Sequence, residues 1–420
     1  MKRSLYTGRD FRRTRNIEEL RLVAKRWLPN FVFEYVDSGA EDEATLRANR
    51  DIFDAWRLVP SALVDVTQRD TSATLLGRKA AFPFVIAPTG YNGMQRRDAD
   101  ISLARAAAQS GIPFTLSTVS NCTIEDVVAG GQARTWMQLY MLRERAVTRN
   151  LLDRARDAGC DTLVLTVDAV YYGNREWDRR SYVREMQLNL RNKLDVLAHP
   201  RWVANVLIPN GVPAFANIAR YLPEGERRAS NGAVYIAKQM ETALDWDSVR
   251  WVREQWQGKL VIKGILNVDD AREAIRVGAD GIVVTNHGGR QLDSTVTSLE
   301  VLPEIADACR NRLTILIDGG FRRGTDIVKA LCLGADAVML GRATLYGVAA
   351  GGFEGAAHAL TILASEVDRT LGHLGCPSVS ALSAKYLRPA PYGRLGESSP
   401  RADAYGTPTY RQRAATHASE

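Results

Sequence analysis

The chain has 420 residues, 45% of them hydrophobic and 25% charged, and a net charge of +7. That length buries a sizeable core, and no run approaches the roughly 18 apolar residues that cross a bilayer. The basic balance comes without a Lys/Arg cluster interleaved with aromatics, which argues against a nucleic-acid surface, although a basic nucleic-acid binder stays among the alternatives; an anionic ligand or an anionic membrane face explains it as well.

The N-terminal MKRSLYTGRDFRRTRN is basic but lacks the apolar core of a secretory signal, and reads as a solvated arm. Residues 16–76 read as helices plus a short strand packed at the base of the downstream domain, within an extension covering 1–80. From residue 81 a strand–helix grammar sets in. Strands are expected at FPFVIAP (82–88), PFTLST (113–118), ARTWMQLY (133–140), within AGCDTLVLTVD (158–168), at LVIKGI (260–265), within VGADGIVVTNH (277–287), at LTILIDGG (313–320) and within LGADAVMLGR (333–342). Each is a continuous apolar run bounded by turn residues, as in a parallel strand buried on both faces. Amphipathic helices are expected between them, as over 98–111, 145–159, 267–278 and 324–334. Eight such units predict an α/β chain closed into a (β/α)8 barrel over 81–390. The rival open sheet would place GxGxxG after its first strand, and FPFVIAPTG lacks it. Residues 176–240 are an insertion between strands four and five. The tail, 391–420, is polar and rich in Gly, Pro and Ser, and is expected to be disordered. Cys122, Cys160, Cys309, Cys332 and Cys376 are odd in number and form no CxxC pair. They argue against a disulfide framework or a metal site and for a reducing, cytoplasmic compartment.

Barrel chemistry gathers at the C-terminal strand ends. Here those ends are Pro88-Thr89-Gly90, Ser117, Gln138 and Tyr140, Thr166 and Asp168, Lys263, Thr285-Asn286-His287-Gly288-Gly289-Arg290, Asp318-Gly319-Gly320 and Gly341-Arg342. Any one of them has a structural reading as a cap or a turn; together they outline a site. DGGFRRG (318–324) and Gly341-Arg342 suit a phosphate, through close-approaching backbone N–H groups and the forks of Arg322 and Arg342. Lys263 suits either an imine-forming lyase or a fixed cation beside a reduced flavin, and the neutral donors Gln138, Thr166 and Ser117 favour the flavin. His287 titrates near neutral pH and can take a proton, Asp168 can support its imidazolium, and Arg290 offers a fork to a carboxylate. A proton-bearing carbon or hydroxyl next to a carboxylate describes a 2-hydroxy acid. No G-x-S-x-G elbow points to a serine hydrolase. A phosphosugar lyase or isomerase stays as the alternative of a different class.

TNHGGRQLD (285–293) resembles the active-site motif S-N-H-G-A/G-R-Q of the FMN-dependent L-2-hydroxy acid oxidases and dehydrogenases, with Thr285 in place of the usual Ser. The resemblance runs from about Ile17 to Tyr386, apart from the insertion. It implies proton abstraction by His287 with Asp168. Arg290 and Arg175 would hold the substrate carboxylate, with Tyr35 and Tyr140 at the substrate. FMN would be held by Pro88, Thr89, Gly90, Ser117, Gln138, Thr166, Lys263, Thr285, Asp318, Gly319, Gly320, Arg322, Gly341 and Arg342. LSTVSNCTIEDV, IAPTGYNG and GFRRGTDIVKAL are similar to the bacterial (S)-mandelate dehydrogenase branch. Val119 stands where glycolate oxidase has tryptophan and Gly90 where short-chain oxidases have alanine, which suits a larger, aromatic substrate. AHPRW in the insertion resembles the membrane-associated lactate dehydrogenases, so lactate also stays open. The implied acceptor is a quinone or O2, and the implied assembly a homotetramer.

Residues 178–232 hold nine Lys/Arg against five Asp/Glu. With Trp202, Val203, Val206, Leu207, Ile208 and Phe215 read as apolar surface among Arg191, Lys193, Arg201 and Arg220, the insertion has the profile of a segment lying on an anionic leaflet. Peripheral contact with the inner face of the cytoplasmic membrane is the expectation; an active-site lid is the alternative.

Overall fold

The computed structural model describes residues 5–184, 187–222, 235, 236 and 238–390. The expected disorder of 391–420 falls outside the described residues. Eight strands form one closed barrel: β1 (Phe84–Ile86), β2 (Phe114–Leu116), β3 (Thr135–Tyr140), β4 (Thr162–Thr166), β5 (Lys259–Ile265), β6 (Gly281–Val284), β7 (Thr314–Ile317) and β8 (Ala337–Leu340), with β8 paired in parallel to β1. Seven lie within the expected apolar runs, and β5 starts one residue ahead of its run, at Lys259. Alternate residues separate two layers. Val85, Trp136, Val164, Val261, Val283 and Leu316 fill the interior, while Phe84, Ile86, Leu163, Leu165, Ile282 and Ile317 join the outer core under the helices. Both faces are thus apolar, which is why the strands read as unbroken hydrophobic runs. The base is closed by the hairpin Ala73–Leu75/Arg78–Ala80, whose Leu75 and Leu76 join the interior cluster.

The short strand expected in 16–76 is thus at the base, but the N-terminal helices do not pack there, which corrects that half of the expectation. Helix α1 (Ile17–Trp27) lies along the helical segment Arg342–Leu374 that follows β8 and is kinked at Gly351-Gly352. Helices α2 (Asn30–Asp37) and α3 (Ala44–Asp51) run to the opposite end, the C-terminal mouth. The physical reason is a cap. Helix α3 starts after Glu43, which is left-handed and gives no side-chain cap. Asp293, in the loop after β6, accepts from Ala44 N (3.1 Å) and Thr45 N (2.7 Å) instead. A carboxylate at a helix N-terminus satisfies orphan N–H groups and complements the dipole.

The insertion also differs from its reading. Trp202 and Val206 are 1% and 4% exposed and face the barrel. The Trp202 Nε1–H donates to Met94 O at 2.7 Å, and its ring meets Phe31 edge-on at 5.9 Å. Val203, Leu207 and Phe215 are half-buried, and of the six residues read as outward only Ile208 is exposed. The outward apolar face belongs instead to helix Leu190–Leu197, where Leu190, Leu194 and Leu197 are 72%, 58% and 73% exposed. Their spacing puts all three on one stripe.

Candidate active site

The turn after β6 is bound at nearly every residue. Thr285 Oγ1 donates to Asp318 Oδ1 and accepts from His287 N at 2.9 Å. Asn286 pairs through its amide with that of Asn49 on α3, and its Oδ1 also accepts from Gly289 N at 3.1 Å. His287 itself has φ +58°, followed by Gly288 and Gly289 at +65° and +71°. A left-handed non-glycine residue costs about 1–2 kcal/mol, and such strain persists only where the surroundings over-determine it. Here it turns the imidazole toward β4, where Nδ1 lies 2.9 Å from Asp168 Oδ1. Asp168 Oδ2 is buried with no hydrogen-bond partner among the described residues.

Two side chains set the protonation of this pair. Burial, with the nearby Lys263 charge, holds the His287 pKa below its usual value against the attraction of Asp168. Burial would raise Asp168, but His287 and Lys263 outweigh it and keep the carboxyl low. The resting state is therefore a neutral imidazole beside a carboxylate. Lys263 is 3% exposed, 3.3 Å from Asp318 Oδ2 and 3.5 Å from Thr285 Oγ1. Burial pulls its pKa down, and Asp318 and Asp168 more than reverse this. A lysine held as a cation does not serve imine chemistry, which needs the free amine. Lys263 is aimed by a bulge: the register of β5 slips between Lys263 and Ile265, with Gly264 at φ +124°. A Cβ on Gly264 would come within 2.8 Å of Asp168 Cβ, so the glycine also gives the carboxylate its place.

A polar floor continues around the mouth. Gln138 accepts from Ser117 Oγ (3.1 Å) and donates to Thr166 Oγ1 (3.0 Å). Thr89 O and Oγ1 accept from Asn92 Nδ2, and Tyr35 OH donates to Gly90 O at 3.2 Å. Pro88, Thr89 and Gly90 are half-buried. Burial and Asp168 raise the Tyr140 phenol, which stays protonated as a donor.

The cations meet on the other side. The Arg290 guanidinium sits over the Tyr35 ring, 5.3 Å from its centroid. Its Nη1 donates to Ser38 O (2.8 Å), and Arg175 Nε donates to Arg290 O (3.4 Å). Arg342 is bound to the carbonyls of Val36, Gly288 and Ser38, each at 2.9 Å, rather than extended from Gly341 as a free fork. Burial, with the like charges of Arg175 and Arg342, pushes Arg290 down to about 9. An incoming anion relieves that field. Arg322 donates to Phe321 O and lies over the Tyr346 ring. Gly319 and Gly320 have φ of +106° and +83°, and a Cβ on Gly320 would strike Asn49 O, so helix α3 packing already demands this glycine.

His287, Asp168, Lys263, Asp318, Thr285, Ser117, Gln138 and Thr166 are thus brought together by direct contacts, as are Tyr35, Arg290 and Arg175. Residues to which the sequence assigned no role, Asn49, Gly264, Asn286, Gln291 and Asp293, hold these groups in place. Three of the five lie inside TNHGGRQLD, where the motif drew notice to Thr285, His287, Arg290 and the glycines.

The chain belongs to the FMN-dependent dehydrogenase family, whose model matches residues 24–389. It is 42% identical to (S)-mandelate dehydrogenase of Pseudomonas putida over 374 residues, 89% of this chain and 93% of that protein. It is equally 42% identical to L-lactate dehydrogenase of Alcaligenes faecalis, over 88% of this chain and 97% of the relative. Among solved structures, monotopic membrane protein (S)-mandelate dehydrogenase superposes with a TM-score of 0.86 at 42% identity, covering 90% of this chain and all of the other. A mandelate oxidase variant with (S)-mandelic acid superposes at 0.74 and 34% identity, covering 90% and 98%. The donor set fits FMN: a fixed cation, an amide and hydroxyls on the floor, and largely buried guanidiniums turned to carbonyls where a phosphate and a substrate carboxylate would compete.

Proposed function

We propose that the chain oxidises an (S)-2-hydroxy acid, (S)-mandelate ahead of (S)-lactate, to the 2-oxo acid, and passes the electrons to a membrane quinone. The observation that carries this is the half-buried His287–Asp168 pair beside the Arg290 and Arg175 guanidiniums, whose hydrogen bonds go to carbonyls. Arg290 and Arg175 bind the substrate carboxylate, and Tyr35 and Tyr140 present their hydroxyls to it. With Nδ1 facing Asp168, the His287 Nε2 lone pair receives the substrate proton, and Asp168 stabilises the imidazolium that forms. FMN, held by the floor from Thr89 to Thr166 and by the arginines near Gly341, supplies the two-electron acceptor when bound. Lys263 fixes positive charge at that floor. The test is anaerobic bleaching of the purified, FMN-loaded protein with mandelate, lactate and glycolate in turn. Bleaching by mandelate first supports the reading, and bleaching by none of the three sinks it. Reoxidation by a quinone analogue rather than by O2 then separates a dehydrogenase from an oxidase.

Gly90 and Val119, the two positions read as shaping the substrate side-chain pocket, pack directly on each other: a Cβ on Gly90 would stand 2.3 Å from Val119 Cγ2. Gly90→Ala must displace Val119. At about 1–3 kcal/mol for such overpacking, the KM for mandelate is expected to rise roughly tenfold and that for lactate by less. Equal changes for both acids would detach this wall from the substrate side chain.

Peripheral membrane contact, on the inner face of the cytoplasmic membrane and by a homotetramer, is part of the same proposal. No helix among the described residues is long and apolar enough to cross a membrane. The support is the Leu190, Leu194 and Leu197 stripe, flanked by exposed Arg191 and Lys193, with Ile208 (73% exposed) nearby in the chain. Each leucine contributes about 1.5–3 kcal/mol on leaving water, so replacing all three by Glu should shift membrane partition by roughly three orders of magnitude or more. Sedimentation with anionic vesicles reads this, with flavin content as the control for folding. A triple variant that still pellets places the contact elsewhere.

A further inference from the structure

Gln291 has no part in the chemistry above, yet its side chain spans both catalytic loops. Nε2 donates to Asp168 O at 3.2 Å and to Tyr171 O at 3.1 Å, and Oε1 accepts from Gly173 N at 3.0 Å. The loops meet closely here: a Cβ on Gly173 would lie 2.1 Å from Arg290 O. Segment 168–175 carries Asp168 at one end and Arg175 at the other, and their counterparts His287 and Arg290 precede Gln291 in the facing turn. We infer that Gln291 is a positioning residue, whose amide clamps segment 168–175 to the turn and so sets both the His287–Asp168 pair and the two-arginine clamp. The inference rests on His287 acting as the base.

The amide is suited to this because one planar group supplies two donors and one acceptor. Glutamate keeps the acceptor for Gly173 N but puts negative charge against two carbonyls. Methionine keeps the length and offers no strong donor or acceptor. The donor half acts on Asp168, whose carboxylate shifts against His287 Nδ1 when its own backbone is released. The acceptor half acts on Gly173, two residues before Arg175.

The test uses the full-length, FMN-loaded enzyme with Gln291→Met, Gln291→Glu, Asp168→Asn and the Gln291→Met/Asp168→Asn double variant. Three quantities are read: the anaerobic bleaching rate across pH, the affinity for the 2-oxo acid from the flavin spectrum, and the melting temperature. Losing three hydrogen bonds should slow bleaching in Gln291→Met by ~10-fold or more. Its acid limb should move to lower pH, because a loosened Asp168 no longer raises the imidazole pKa. Oxo-acid affinity should fall with it. Gln291→Glu should slow bleaching while largely keeping that affinity, and it carries the test if the Met variant fails to fold. In the double variant the two losses should be clearly less than multiplicative, since both act through Asp168. Multiplicative losses, or an acid limb that stays in place while only the melting temperature falls, would overturn the inference. If Asp168→Asn and His287→Ala both bleach at the full rate, it is the assignment of the base that fails, and the clamp's proposed purpose with it.

Discussion

His287→Ala will retain FMN and lose ~10²–10⁴-fold or more in substrate-dependent bleaching, the range that a positioned general base contributes. The imidazole reaches its place by backbone strain at φ +58° and is fixed by one carboxylate, so no neighbouring group can stand in. His287→Asn is the matching control. Asparagine tolerates the left-handed region, so it keeps the turn while removing the base. Equal losses in the two variants assign the effect to the imidazole, and near-normal bleaching in either removes it from the chemistry. The pH dependence has a definite sign. Burial and Lys263 hold the His287 pKa down, so the neutral, proton-accepting form persists below pH 6.5, the ordinary imidazole value. The acid limb of kcat/KM for the wild type should therefore lie below that pH, and activity should fall as pH drops through it.

The second large effect is expected at Arg290. Arg290→Met removes a charge that is half-buried, carbonyl-bound, in the field of Arg175 and Arg342, and closed off from water once a substrate covers it. Truncating one partner of a buried charge pair costs about 2–5 kcal/mol, so kcat/KM should fall by roughly 30-fold to more than a thousandfold, chiefly through KM. Arg290→Lys should recover only part of this, because an ammonium cannot reproduce the planar fork over Tyr35 or its two-point grip. Steady-state kinetics with mandelate decide it. A kcat loss at unchanged KM would place Arg290 with the proton transfer rather than with the carboxylate.

The barrel was legible because its strands are apolar on both faces, which writes each as an unbroken hydrophobic run ending in a polar tip. The tips were legible for the same reason: Lys263, Thr285 and Asp318 stand out where an interior should be dry. What stayed hidden depends on partners distant in sequence. Glu43 gives α3 no cap, and nothing near it announces Asp293, so the placement of 30–51 at the mouth could not be read. Composition shows that the insertion is both apolar and basic but not which face is which. Trp202 counts as outward by composition, and only the bond from its indole N–H to Met94 O turns it inward. Gly264 looks like a spare residue in LVIKGI, and only Asp168 Cβ, 2.8 Å from where its own Cβ would stand, explains it.

The cap on α3 also dictates an order of events during synthesis. Ala44 and Thr45 leave the ribosome well ahead of Asp293, which lies 249 and 248 residues further along. Until the sixth strand and its turn exist, helix α3 has no acceptor for its first N–H groups, and an isolated eight-residue helix is too short to persist in water. Asn49, made long before Asn286, is left equally without its partner. The early-made segment and the late-made turn therefore become ordered in one late, long-range step. A nascent chain stopped short of residue 293 carries a base, a carboxylate and a lysine, but neither the Asp293 cap nor the Asp318 carboxylate that help fix the turn.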